Sequence, residues 1–157
     1  MGVSGSGKTT LGSALALRLG WDFFDADDFH PVENITKMMN GIPLSDADRA
    51  PWLAALHNVL ASSLKSNGHP ILACSALKEK YRSQLLEGIE GMKTIYLKGT
   101  YELIWSRMAA RQGHYMQPEM LQSQFTALEE PVDVLPLDVS LSTEEMLDKI
   151  LARYFSA

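Results

Sequence analysis

Met1-Gly2-Val3-Ser4-Gly5-Ser6-Gly7-Lys8-Thr9-Thr10 opens the chain and fits the phosphate-loop pattern G-x-x-x-x-G-K-[ST], with Gly2, Gly7, Lys8 and Thr9 in the required places. Glycines permit backbone conformations and a close approach that a Cβ would block, so successive N–H groups can converge on a phosphate at the start of the next helix. Gly2, Ser4, Gly5, Ser6, Gly7, Lys8, Thr9 and Thr10 are therefore the nucleotide-binding candidates. Lys8 would neutralise the terminal phosphates, and Thr9 would ligate Mg²⁺. A plain glycine-rich surface turn is the bland alternative, but the Lys8-Thr9 pair opens an apolar helical stretch, as the phosphate-binding mechanism demands. Such a loop normally follows a buried β-strand, and only Met1, Gly2 and Val3 are available to supply it. The first strand is expected to be truncated: it is very short, or the chain begins inside a longer natural one.

Outward from the loop, 157 residues are the size of one domain, long enough to bury a core without disulfides or metal. A single domain over residues 1–157 is expected. Hydrophobic residues make up 46% and charged residues 21%, no apolar run approaches membrane-spanning length, and no signal peptide is visible. A formal net charge of −5 argues against a surface that coats nucleic acid. Neither nucleic acid nor membrane is an expected partner. The single cysteine, Cys74, lies in the apolar run Pro70-Ile71-Leu72-Ala73-Cys74 and reads as a core thiol of a reducing compartment, which makes cytoplasm the default.

Apolar periodicity predicts a helix over Thr9–Leu19 stopped by Gly20, then a strand over Trp21–Asp25 and a short helix over Glu33–Asn40. The next helix runs to about Ser66. Its start is ambiguous: Ser45 with Asp48 resembles a capping box but would put Pro51 in the helix interior, whereas Asp48 as N-cap leaves Pro51 in the tolerant first turn, and Asp48 is the preferred start. Further elements are a strand over Pro70–Ser75, a helix over Leu77–Leu86, a strand over Met92–Leu97 and a helix capped by Thr100 and running to about Gln112. Gly113-His114-Tyr115 breaks that helix. A helix over Pro118–Leu128, a strand over Val132–Val139 and a C-terminal helix with a Ser142/Glu145 capping box complete the chain. Alternating strand and helix imply a parallel α/β sheet whose ligand crevice lies at the carboxyl ends of its strands.

Several polar constellations meet that crevice. On an extended chain Asp25 and Asp27 face the same side, so Asp25 is a candidate for holding Mg²⁺ through its water shell and Asp27 for accepting a proton from, or orienting, an attacking hydroxyl. The rival is a solvated acidic turn. His30 has two open readings, substrate contact or a cap for the next helix. Arg49, placed just inside a cap at Asp48, reads as a carboxylate clamp rather than a surface ion pair with Asp46. Lys78 and Arg82, one helical turn apart, would share a face toward the crevice, unless they form an ordinary solvated face. Ser75 stands where most phosphate-loop proteins carry an acidic metal ligand, which leaves metal duty to Thr9 and Asp25. Arg107 and Arg111, again one turn apart and just before the break, suit a lid over about residues 107–120 that closes on nucleotide, unless they are merely exposed. Trp21, Trp52, Trp105 and the eight methionines read as packing.

Taken together, residues 2–9, Asp25-Ala26-Asp27-Asp28-Phe29-His30-Pro31, Pro43 to Leu53, Cys74 to Arg82 and Arg111-Gln112-Gly113-His114-Tyr115 closely resemble the gluconate kinases, and Gln124 to Glu129 extends the likeness. The wider group it is similar to includes shikimate and adenylate kinases. That resemblance implies a three-layer phosphate-loop kinase fold, a parallel five-stranded sheet of order 2-3-1-4-5 with helices on both faces, and a small lid. It also implies transfer of the ATP γ-phosphoryl group to the 6-hydroxyl of D-gluconate, Mg²⁺ dependence and a homodimer. By it, Lys8, Asp27 and Arg111 are the catalytic candidates, Arg107 and Arg111 touch nucleotide, and Asp27, His30, Arg49, Lys78, Arg82 and His114 bind the sugar acid. Tyr115 stands where phenylalanine is common in the family. Two rivals stay open: a kinase for shikimate or a nucleoside monophosphate, and a nucleotide-dependent switch that binds a protein partner.

Overall fold

The computed structural model describes residues 1–110 and 118–155. Along them helix and strand alternate as the periodicity predicts. The elements are α1 (Lys8–Leu19), β1 (Asp22–Asp25), a 3₁₀ turn (Ala26–Phe29), α2 (Val32–Met39), α3 (Asp46–Lys65), β2 (Pro70–Ala73) and α4 (Glu79–Leu85), followed by β3 (Ile95–Lys98), α5 (Tyr101–Ala109), α6 (Pro118–Ala127), β4 (Leu135–Asp138) and α7 (Thr143–Tyr154). Among the described residues no helix is long and apolar enough to cross a membrane.

The strands form two parallel ladders, β1 with β2 in the register Asp22 to Pro70, and β3 with β4 in the register Ile95 to Leu135. Met1 and Gly2 make backbone bonds to both. Gly2 N–H donates to the Ser75 carbonyl at 3.4 Å, Leu97 N–H to the Met1 carbonyl at 2.9 Å and the Met1 ammonium to the Ile95 carbonyl at 2.5 Å. These bonds hold the phosphate loop at the ends of β2 and β3. A cavity of 390 Å³ extends from Met1 along β2 and β3, lined largely by apolar side chains such as Leu11, Leu15, Leu60, Ile71 and Ile95. Lys8 and Arg82 are among the polar residues on its wall.

Each ladder has its own apolar core. Val3, Leu11, Leu15, Leu97, Ile104, Met108, Leu121, Leu137, Val139 and the inward face of α7 pack together, which anchors the phosphate loop in the β3/β4 core through Val3 while α1 also packs on β1 and β2. Trp52, Leu53, Leu56, Leu60, Cys74, Tyr81 and Leu85 form the second core, which joins α3 and α4 to β2. Cys74 is a buried core thiol as expected, and burial pushes it up to about 11, which keeps it protonated.

The start of α3 corrects the preference for Asp48 as N-cap. Ser45 is the cap: its hydroxyl accepts from Asp48 N–H while the Asp48 carboxylate accepts from Ser45 N–H, a complete capping box that leaves Pro51 inside the helix. A proline there removes one ladder bond at a cost of roughly 3 kcal/mol in a helix interior. Starting the helix later would avoid that cost but forfeit the box, the Lys37–Asp48 ion pair at 2.6 Å and the bond from the Asn34 amide to the Asp48 carbonyl at 2.8 Å, which dock α2 onto α3. Bonds from Lys37 and Ser45 hold the Asp48 carboxyl down to about 2. Ser45→Ala is expected to destabilise the fold by about 1 kcal/mol, a fall of about 2–4 °C in the thermal midpoint at neutral pH. A midpoint within half a degree of wild type would show that the box contributes nothing.

Candidate active site

The phosphate loop is built from conformations that only glycine adopts freely. Gly7 caps α1 at φ 95°, and at Gly5, φ 77°, an added Cβ would stand 2.5 Å from the Met108 side chain, so α5 packs directly against the loop. With no side-chain cap on α1, the first-turn N–H groups of Lys8, Thr9 and Thr10 face the loop's concavity. The Lys8 ammonium donates to the Val3 carbonyl at 3.0 Å, and the buried Ser6 hydroxyl has no partner among the described residues. Burial lowers the Lys8 pKa, and the charges of Asp27 and Asp25 act against that fall. A cation kept beside loop amides in a low-dielectric setting is what a polyphosphate requires.

Asp25 and Asp27 both border Lys8, but not through the alternation of an extended chain. The chain leaves β1 at Asp25 and enters the 3₁₀ turn, with the Asp25 carboxylate accepting from Asp27 N–H at 3.1 Å. An aspartate at a turn start satisfies a backbone donor that an extended continuation would have left to solvent, which is why the strand stops there. The other Asp25 oxygen accepts from the Thr9 hydroxyl at 2.7 Å, which joins the two expected metal ligands. Asp27 is left exposed, and among the described residues its carboxylate has no hydrogen-bond partner. His30 does not cap α2, whose N-cap is Pro31. Its ring stacks on Trp52, 4.4 Å between centroids and 7° between planes, and Trp52 Nε1 in turn donates to the Ala26 carbonyl at 2.7 Å. Trp52 thus packs, as expected, and also fixes the turn that bears Asp27. The His30 Nδ1 atom is buried without a partner among the described residues, and burial lowers the pKa of the ring, so it is neutral at pH 7.

Facing this turn from α3 and α4 is a basic cluster around one ring. Arg49, Lys78 and Lys80 stand 5.4, 5.6 and 5.5 Å from the centroid of Tyr81. Asp46 pairs with Lys80, lies 3.8 Å from Lys78 and accepts from the Tyr81 hydroxyl. Bonds from Lys80 and Tyr81 hold the Asp46 carboxyl down to about 2. Arg49 therefore has no ion pair with Asp46; it donates to the Leu44 carbonyl and, at 3.5 Å, to the Tyr81 hydroxyl. Three cations against one carboxylate leave an excess positive charge on this wall of the crevice. The sequence does not single out Lys80 as a site residue, and it gives Asp46 only as the alternative partner of Arg49. The available signal was the run Lys78 to Arg82, with four basic or aromatic residues in five positions.

Two residues expected on a shared face part company. Lys78 is the N-cap of α4 in extended conformation, so the one-turn spacing to Arg82 does not apply. Arg82 turns inward and is 8% exposed. Its guanidinium donates to the Ala76 and Leu77 carbonyls at 3.0 and 3.1 Å and grips Glu79 at 2.6 Å. Those bonds hold Ala76 at φ 42°, a left-handed conformation that costs a non-glycine residue roughly 1–2 kcal/mol. Arg82 shapes the loop that presents Lys78. Arg107, on α5, is exposed and donates to the Val139 carbonyl at 2.5 Å. Arg111 and His114 lie outside the described residues.

Residues 4–153 match the family described as shikimate kinase. The probable gluconokinase of Mus musculus is 43% identical over 174 residues, covering 100% of this chain and 94% of that protein. The thermosensitive gluconokinase of Escherichia coli is 44% identical over 160 residues, with 97% of this chain and 86% of that protein covered. Among solved structures, a gluconokinase from Sinorhizobium meliloti superposes with a TM-score of 0.87 at 42% identity, covering 97% of this chain and 87% of that one.

Proposed function

From the premise that this chain belongs to the gluconokinase family, within the wider shikimate kinase group, we propose that it transfers the γ-phosphoryl group of ATP to the 6-hydroxyl of D-gluconate. The observation that carries the reading is one crevice with a phosphate cradle on one wall, an exposed carboxylate at its floor and surplus positive charge on the other wall.

The roles follow from the chemistry. Loop amides and Lys8 hold the ATP phosphates, and the surplus charge of Arg49, Lys78 and Lys80 receives the sugar-acid carboxylate. That leaves the far hydroxyl of the acceptor directed at Asp27. In the transfer the hydroxyl oxygen bonds to the γ-phosphorus as the bond to the β–γ bridging oxygen breaks; ADP departs, and the hydroxyl proton passes to Asp27 or through it to solvent. Phosphoryl transfer needs alignment and charge neutralisation more than a strong base, so Asp27 acts mainly as an orienting acceptor. His30, neutral and stacked on Trp52, offers an imidazole nitrogen to a substrate hydroxyl. Mg²⁺ fits the hard oxygen pair of Thr9 and Asp25, where it would neutralise charge on the phosphates; among the described residues no cluster of three or more His, Cys, Asp or Glu competes for it. Arg82 belongs to this scheme as the organiser of the Lys78 loop, and Arg107, Arg111 and His114 as parts of a lid over about residues 107–120. Numbered with residues 1–3 as the first strand, a sheet order of 2-3-1-4-5 is supported by the bonds of Met1 and Gly2 to both ladders. Chain length supports a single domain and the lone buried thiol a cytoplasmic setting, while the resemblance to the gluconate kinases implies a homodimer.

ADP release from MgATP, measured across gluconate, shikimate, nucleoside monophosphates and no acceptor, tests the reading. Turnover is expected with gluconate alone; acceptor-independent turnover, or none, sinks it. On the same assay Lys80→Ala is expected to raise the KM for gluconate about tenfold while the KM for ATP stays within twofold, because one charge-assisted bond of about 1.5 kcal/mol is lost on the acceptor side only.

A further inference from the structure

The stretch Gln124 to Glu129 has no place in the chemistry above, yet it touches both walls of the crevice. The Gln124 carboxamide makes two bonds to the phosphate loop: its Oε1 accepts from Ser4 N–H at 2.7 Å, and its Nε2 donates to the Ser4 hydroxyl at 3.0 Å. Five residues on, Glu129 makes two more to the acceptor wall. Its N–H donates to the Leu77 carbonyl at 2.9 Å, and its Oε2 accepts from Glu79 N–H, the first amide of α4, at 2.6 Å. Between these anchors Phe125 and Leu128 pack against the β3/β4 core, and one turn before them Leu121, 0% exposed, roots α6 in it.

The loop of residues 76–79 is itself over-determined, since Glu79 holds Arg82 and Arg82 holds the Ala76 and Leu77 carbonyls. A displacement of Glu129 is therefore transmitted to Lys78 as a unit and not absorbed by a slack loop. The phosphate loop sits mainly in one half, through Val3, and the acceptor wall mainly in the other, through Tyr81, with Met1 and Leu77 each packing across to the opposite core. Across the halves, α6 and its tail supply a direct polar link between Ser4 and Glu79.

We propose that α6 is a strut that sets the distance and angle between the phosphate cradle and the sugar-acid wall, with Gln124 and Glu129 as positioning residues for the transfer. Neither touches the reacting atoms. Their effect is on alignment, to which an in-line displacement is sensitive: small misplacements can cost large factors in rate. The proposal rests on the kinase reading for its kinetic part, and on the contacts alone for its nucleotide part.

The test uses the full chain with Gln124→Ala, Gln124→Glu, Glu129→Ala and Glu129→Gln. Calorimetric MgATP dissociation constants, kcat, KM for gluconate and thermal midpoints would be measured for each. Gln124→Ala is expected to weaken MgATP about fivefold to tenfold, as the loss of two hydrogen bonds that hold the loop allows, with the gluconate KM within twofold. Gln124→Glu keeps an acceptor for Ser4 N–H and keeps the midpoint, but it sets a negative charge beside the phosphates and weakens MgATP further. Glu129→Ala is expected to raise the gluconate KM about fivefold at unchanged MgATP affinity, and Glu129→Gln, which retains an acceptor for Glu79 N–H, to recover most of that loss. Both alanine variants lower kcat by about tenfold. Unchanged constants overturn the strut, as do lowered midpoints and active fractions with MgATP affinity and gluconate KM intact, the signature of simple packing. Failure of the wild-type chain to phosphorylate gluconate would overturn the functional reading instead, and the MgATP affinities of the Gln124 variants would still decide the donor half.

Discussion

Lys8→Met is expected to lower kcat/KM for gluconate phosphorylation by about 10²–10³-fold, the loss typical of removing one preorganised group from the charge that develops in a transition state. Methionine fills a similar volume and adds no polar atom, so the loop around it has no reason to rearrange. What disappears is the ammonium, which lies against the Val3 carbonyl at 3.0 Å and close enough to Asp25 and Asp27 for their charges to counter the lowering of its pKa. Burial is the larger influence on that pKa, and it has a second consequence. A desolvated ammonium interacts more strongly with phosphate than a hydrated one does, so the charge acts where water has been excluded. Steady-state kinetics with a thermal melt on the same sample check this. A rate loss below about threefold with a fold intact would remove Lys8 from the chemistry.

Asp27→Asn is expected to lower kcat by about 10²-fold while the MgATP dissociation constant changes by less than about threefold. Asparagine keeps the shape of the turn, because the bond that starts it is accepted by Asp25 and donated by the backbone of residue 27. It cannot accept the hydroxyl proton, and it orients a hydroxyl only as a neutral acceptor. Equal losses in turnover and nucleotide affinity would place Asp27 on the donor side and sink the assignment. A corollary has a definite sign. Since Asp27 raises the Lys8 pKa against burial, its removal lets that pKa fall further, so the alkaline limb of the activity profile moves to lower pH in the variant. A limb that stays in place would mean that Lys8 titrates outside the working range.

What the sequence shows of the site is the part encoded locally. Gly2 to Thr9 specify a cradle because glycine, lysine and a hydroxyl residue at that spacing meet its backbone and charge requirements, and Asp25, Asp27 and Arg49 follow within motifs of a few residues. The errors share one cause, a local rule applied where a long-range contact decided. At α3 the proline rule favoured a start at Asp48, but Asp48 was already committed to Lys37 and Asn34 of α2. At Lys78 and Arg82 helical spacing predicted one face, but α4 begins only at Glu79, and Arg82 is spent on the backbone of residues 76 and 77. Asp25 and Asp27 meet Lys8 as expected, by a 3₁₀ turn instead of an extended chain.

By itself the sequence determined the alternation of strand and helix, the phosphate cradle and the buried thiol, since each rests on periodicity or on residues a few positions apart, and the kinase family through the resemblance of its combined motifs. Only the tertiary structure decided which cations gather on Tyr81, that Arg82 looks inward, and that Gln124 reaches Ser4 across 120 residues of chain. The physical reason is that a side chain's partner is chosen by competition among all groups the fold brings within about 3 Å. No spacing rule along the chain carries that information.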